Sequence, residues 1–205
     1  THDLRMHAEA ALTLIAQARA AAGPNPAGDP VYANVGPTMY DAAKYGAATS
    51  GLREPDAVDA MELGARRMDF IGLKFQLADE MATAYAQAQS DAASPDRKTR
   101  AGVGRDLGEL YGVNGRIEDI RNGYTLLRDL YESAWLRSNR PYWLRNNLEL
   151  YDYATQRWLA RADKVHSAMR QWADTRTLPT ADELGIPPAP TPLPGAAAPV
   201  PVTHR

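Results

Sequence analysis

From Pro55 to about Gln89 the chain contains no helix breaker other than Gly64 and Gly72, and this stretch constrains the fold more than any other. Roughly 35 residues of helix would span about 50 Å at 1.5 Å per residue. Pro55 suits a first helical position, and Asp56 and Asp59 suit the positive end of the helix dipole. Two apolar stripes run along the stretch. One is Met61, Ala65, Met68, Gly72, Phe75 and Ala82; the other is Leu63, Phe70, Leu77, Met81, Ala84 and Ala88. Two stripes demand neighbours on two sides, so the segment reads as the central helix of a bundle. Gly72 would admit a close neighbour, at about 1 kcal/mol relative to Ala.

Other helices follow from the same periodicity. Thr1 can cap a helix from His2 to about Ala22, with Leu4, Ala8, Ala11, Leu12, Ile15, Ala18 and Ala22 as its apolar face. Gly23 and the prolines at 24, 26, 30 and 37 then mark a loop. Thr38 to Ala48 reads as a short helix. Pattern resumes near Thr99, weakest over Gly102 to Tyr111 because of three glycines, and a break is expected at Gly112 to Gly115. Ile117, Ile120, Tyr124, Leu127, Tyr131, Ala134 and Ser138 mark the next helix. Pro141 reads as the start of the last one, whose face carries Leu144, Leu148, Tyr151, Trp158, Ala162, Val165, Met169 and Trp172 up to about Asp174.

The fold class is therefore all-α, a bundle of four to five long antiparallel helices. The helical domain is expected over residues 1–178, with N-terminal helices and a proline-rich loop over 1–50 and core helices over 55–174. Residues 179–205 read as a disordered Pro/Ala-rich tail.

Composition narrows function mainly by exclusion. A hydrophobic content of 44% suffices for a core, and a net charge of −2 without a basic face argues against nucleic acid as a partner. No apolar run approaches membrane-spanning length. With no cysteine, disulfides and thiolate metal sites are excluded. His2, His7, His166 and His204 lack metal-ligand spacing, so neither metal nor cofactor is expected. The adjacent pairs Asp79-Glu80 and Glu118-Asp119 diverge by about 100° on a helix and cannot converge on one substrate atom. Asp69 and Asp79 lie nearer the apolar stripes, where ion pairs to Arg66, Arg67, Arg116 or Arg121 are the expected role. Gly102-x-Gly104 and Gly112-x-x-Gly115 lack the lysine and the strand of a phosphate loop. No complete catalytic site emerges.

The most distinctive segment is Tyr131 to Leu144, where Tyr131, Trp135, Tyr142 and Trp143 crowd a tight helix-to-helix corner beside Arg137 and Arg140. Corner packing, with Asn139 as cap and Pro141 as initiator, is one expectation. The other is docking through Tyr131, Trp135, Arg140, Tyr142 and Trp143, because aromatics and arginine dominate interface hot spots.

The run Trp135-Leu136-Arg137-Ser138-Asn139-Arg140-Pro141-Tyr142-Trp143-Leu144, together with Asp59 to Phe70 and Gly115 to Asp119, resembles the C-terminal helical region of bacterial glycoside hydrolase family 20 enzymes, the β-N-acetylhexosaminidase-like group. The likeness covers about Asp56 to Val165. The family's catalytic Asp-Glu pair belongs to its (β/α)₈ barrel, and no position here matches it. What the resemblance implies is an accessory helical domain bracing that barrel, and bordering its substrate cleft, in a larger periplasmic or extracellular glycosidase. The start at Thr1 without Met fits an excised piece. A free-standing helical interaction module with a proline-rich tail is the alternative.

Overall fold

The computed structural model describes residues 2–23, 51–52, 54–112 and 115–187. The expected cap at Thr1, the short helix over 38–48 and the chain beyond Pro187 lie outside these residues. The described residues are helical, with no strand among them: α1 His2–Ala22, α2 Pro55–Ala92, α3 Arg97–Tyr111, α4 Arg116–Ser138, α5 Leu144–Thr175 and the single turn α6 Ala181–Leu184. The all-α expectation holds.

The helix α2 runs its full length as the sequence pattern requires. Beyond it, Asp96 caps α3 by accepting hydrogen bonds from the Lys98 and Thr99 backbone N–H groups. The Thr99 hydroxyl, which also donates to it, together with these backbone bonds holds its carboxyl below the ordinary aspartate range. That cap and the buried Val103, Leu107 and Leu110 outweigh the three glycines, so the segment expected to be weakest is a regular helix. After the break before Arg116, α4 continues antiparallel to α2: Arg116 pairs with Glu80, and Gly123 lies over Phe70. A Cβ at Gly123 would clash with the Phe70 ring, so α4 approaches α2 closely there. Gly72 is itself buried. The last long helix, α5, returns antiparallel to α3 and α4, and Arg128 of α4 meets Asp152 of α5 at 2.8 Å.

One apolar core joins α2, α3, α4, α5 and α6, with Tyr85, Ala88, Val103, Leu107, Ile120 and Val165 at 0% exposure. The Tyr85 hydroxyl donates to the Pro179 carbonyl at 2.7 Å. Burial, helped by the Glu183 carboxylate, pushes that phenol up to about 12.

Three expectations need correction. The first α2 stripe is only partly covered: Ala65, Gly72 and Ala82 are buried, whereas Met61, Met68 and Phe75 stand open. Pro141 does not begin α5. It sits in a turn in which the Leu144 N–H donates to its carbonyl, and α5 starts at Leu144. Finally, the residues after 179 do not leave the domain at once. Thr180 and Glu183 form a capping box, and Leu184 and Ile186 are buried against the core. Helical domain therefore continues to Pro187.

Candidate functional site

Among the described residues, chemistry by carboxylates or metals has no geometry to rest on. Asp69 pairs with Arg5 of α1 at 3.0 Å rather than with an arginine of α2 or α4, and Asp79 is exposed. Glu118 pairs with Arg121 on its own helix. Two acids do converge, Asp59 and Glu62, but on Arg19 at 2.6 and 2.5 Å. Burial alone would raise the Glu62 carboxyl. The Arg19 hydrogen bond and charge, with Arg66 behind, outweigh it and hold the carboxyl below the ordinary range. Among the described residues no three His, Asp or Glu side chains could hold a metal ion together. Nor is any of their helices long and apolar enough to cross a membrane. A cavity of about 30 Å³ beside Asp59, Glu62 and Leu63 has room for a single water. A larger open groove between α5 and α6 is lined by Asp163, Lys164, Ser167 and Gln171, without a nucleophile–base pair.

The corner between α4 and α5 is a built surface. The Asn139 N–H donates to the Trp135 carbonyl at 2.8 Å, ending α4 in extended backbone. Trp135 Nε1–H donates to the Arg140 carbonyl, also at 2.8 Å, so the indole is tied across the turn. Tyr131 lies 5.9 Å from the Trp135 ring and 5.8 Å from the Tyr151 ring, and the Arg67 guanidinium sits over both tyrosines at 5.7 and 5.9 Å. The Tyr151 hydroxyl is buried without a well-aligned hydrogen bond. Burial raises its pKa, and the nearby Arg67 charge only partly opposes this.

The five expected docking residues thus divide. Tyr131 and Trp135 are half-buried and hold the corner, whereas Arg140, Tyr142 and Trp143 face solvent. Tyr142 is 71% and Trp143 74% exposed. Trp143 is the residue before the first turn of α5 and has left-handed backbone, φ 63°. About two and three turns further on, Leu150 and Tyr153 are also exposed on α5. Leu150 and Tyr153, three residues apart, share one face of α5, a signal present in the sequence. Arg67 was assigned a carboxylate partner and instead sits on two tyrosine rings.

Comparison with models of known families, with curated proteins and with solved structures finds no match to this chain. The α4–α5 corner offers an aromatic and cationic surface, held from behind by Trp135 and Tyr131.

Proposed function

We propose that the chain is a non-catalytic accessory domain that docks, through its α4–α5 corner, on the catalytic (β/α)₈ barrel of a β-N-acetylhexosaminidase-like glycoside hydrolase in the periplasm or outside the cell. The observation that carries docking is Trp143. A bulky residue in left-handed backbone costs energy, on the order of 1 kcal/mol. Here that conformation leaves the indole 74% exposed, with little packing among the described residues to offset it. Tyr142, Leu150 and Tyr153 are exposed as well, and contiguous apolar patches beyond a few hundred Å² mark interaction sites. The barrel as partner rests on the likeness of residues 56–165 to the helical region of family 20 enzymes.

Three experiments test the reading. A reading frame upstream of Thr1 that encodes no barrel-sized region sinks the partner. Given such a region, the barrel is expressed separately and mixed with the chain and with its Trp143→Ala variant. In isolation Trp143→Ala should change stability by less than about 0.5 kcal/mol, as surface changes do. Binding to the barrel should weaken more than about tenfold, as loss of an aromatic anchor does. A variant that is neutral in both settings removes the corner from the interface. The isolated chain should not hydrolyse an aryl N-acetylglucosaminide. Turnover abolished by changing Asp69 or Asp79 would overturn the non-catalytic assignment.

A further inference from the structure

The α1–α2 hairpin has two flanks of opposite character. On one, Arg5 reaches Asp69 and Gln76, and Arg19 reaches Asp59 and Glu62. These bonds fix an antiparallel register in which residue numbers on facing levels rise on α1 as they fall on α2. Leu4 then lies level with Phe75, Ala11 with Met68 and Ala18 with Met61. At 100° per residue all six project to the flank opposite the ion pairs, each row repeating every seventh residue. That flank is open. Met61 is 64% exposed, Met68 43% and Phe75 53%, with Ile71 at 41% and Leu14 at 65% beside them.

We propose that this flank is the interface between two copies of the chain, whose hairpins close into an all-antiparallel four-helix bundle. A two-fold axis parallel to the helices sets α2 of one copy over α1 of the other. The bulky row then meets the small one at every level: Met61 over Ala18, Met68 over Ala11, Phe75 over Leu4. The face is complementary in size to itself without any shift of register, which a symmetric dimer requires and a one-sided partner site does not. Alternating large and small residues across facing positions is how helical layers interdigitate. At about 200 Å² per large side chain, the five exposed ones leave on the order of 500 Å² on each copy. Leu4, Ala11 and Ala18 bring the face toward the roughly 800 Å² per partner of a standard interface. That size fits a dimer which dissociates on dilution. The face shares no residue with the α4–α5 corner, so the two proposals fail separately.

Sedimentation of the 205-residue chain from sub-micromolar to hundreds of micromolar should show monomer passing to dimer. Met68→Glu and, independently, Ala18→Glu should stay monomeric at the highest concentration with unchanged helical circular dichroism, since both positions face solvent in the monomer. Register is read separately. Because the chain has no cysteine, Met61→Cys mixed with Ala18→Cys should oxidise to the mixed dimer faster than either to its own. A wild-type chain that is monomeric throughout overturns the proposal. So does a dimer that both glutamate variants leave intact. A monomer destabilised at every concentration by Met68→Glu shows the flank covered from within the same chain and also rejects it. Preferential self-crosslinking rejects the row-on-row packing.

Discussion

Beyond Leu77, α2 packs against α3, α4 and α6, with Met81, Tyr85 and Ala88 almost closed to solvent, whereas before Phe70 its main neighbour on one side is α1, whose only buried residue is Ala8. Both halves show an amphipathic helix against an amphipathic helix in sequence, yet they are held by different forces. The C-terminal half is held by apolar area: Leu107, Val103, Ile120 and Val165 are large, branched and fully buried. There α4 still meets α2 through Phe70 and Arg67, but α1 is held by the Arg5 and Arg19 ion pairs around Ala8 and half-buried neighbours, which bury little area per residue. Periodicity reports where a face is; side-chain size reports how much that face can contribute. Stability should therefore be uneven along one continuous helix.

The largest effect should come from the dense half. Leu107→Ala empties a fully buried position and should cost about 2 to 5 kcal/mol in urea unfolding, with every helix lost in one transition. If α1 and the N-terminal half of α2 kept their helicity after that transition, the two halves would be independent domains and the comparison would need redrawing.

A smaller effect tests the packing between α2 and α4. Gly→Ala in an open helix position gains about 1 kcal/mol, and Gly104 of α3, with nothing near its missing Cβ, should show that gain. At Gly123 the sign should reverse. The added methyl meets the Phe70 ring, itself buried and edge-on to Tyr124 at 4.9 Å, so overpacking of about 1 to 3 kcal/mol should exceed the propensity gain. Equal stabilisation by both substitutions would mean that the Phe70 ring moves freely, and that α4 is not locked to α2 there.

Much of this architecture is legible in the chain itself, because α2, α4 and α5 repeat their apolar residues at helical spacing for many turns. What escapes is set by size and by tertiary partners. The exposure of Met61, Met68 and Phe75 depends on how little α1 can cover, which the α2 stripe alone does not say. Pro141 reads as an initiator by local rules, but the Trp135 indole bond to the Arg140 carbonyl holds the turn open and delays α5 to Leu144. Proline content obscured the Thr180–Glu183 capping box, whose turn is fixed by the docking of Leu184 and Ile186. At the corner the crowding of aromatics was visible, but not the division between Trp135 as strut and Trp143 as presented surface.

The smallest expected effect isolates the ion-paired half. Exposed pairs contribute at most about 1 kcal/mol each, so removing them should loosen α1 without unfolding the molecule. The folded-state pKa of Glu62 lies below the ordinary glutamate value, because Arg19 and Arg66 outweigh its burial. In the window between those two values the unfolded chain binds more protons than the folded one. The Glu62 contribution is therefore intact above the ordinary glutamate range and is lost as pH falls through the depressed folded value. Asp96 and Glu183 are depressed as well, through their capping bonds, so α3 and α6 should also feel acid. Their neighbours Leu107 and Leu184 are buried apolar anchors that do not titrate, and these should keep both elements in place. Amide exchange on the dilute, monomeric chain should show Leu4 to Arg19 losing protection at a higher pH than Val103 to Leu110. Arg19→Met should shift α1 to the less protected state already at neutral pH and flatten its acid response, while leaving α3 unchanged. Simultaneous loss of protection in α1 and α3 on acidification would mean that apolar contacts, not the Arg19 cluster, hold the hairpin, and the contrast between the two halves of α2 would fail.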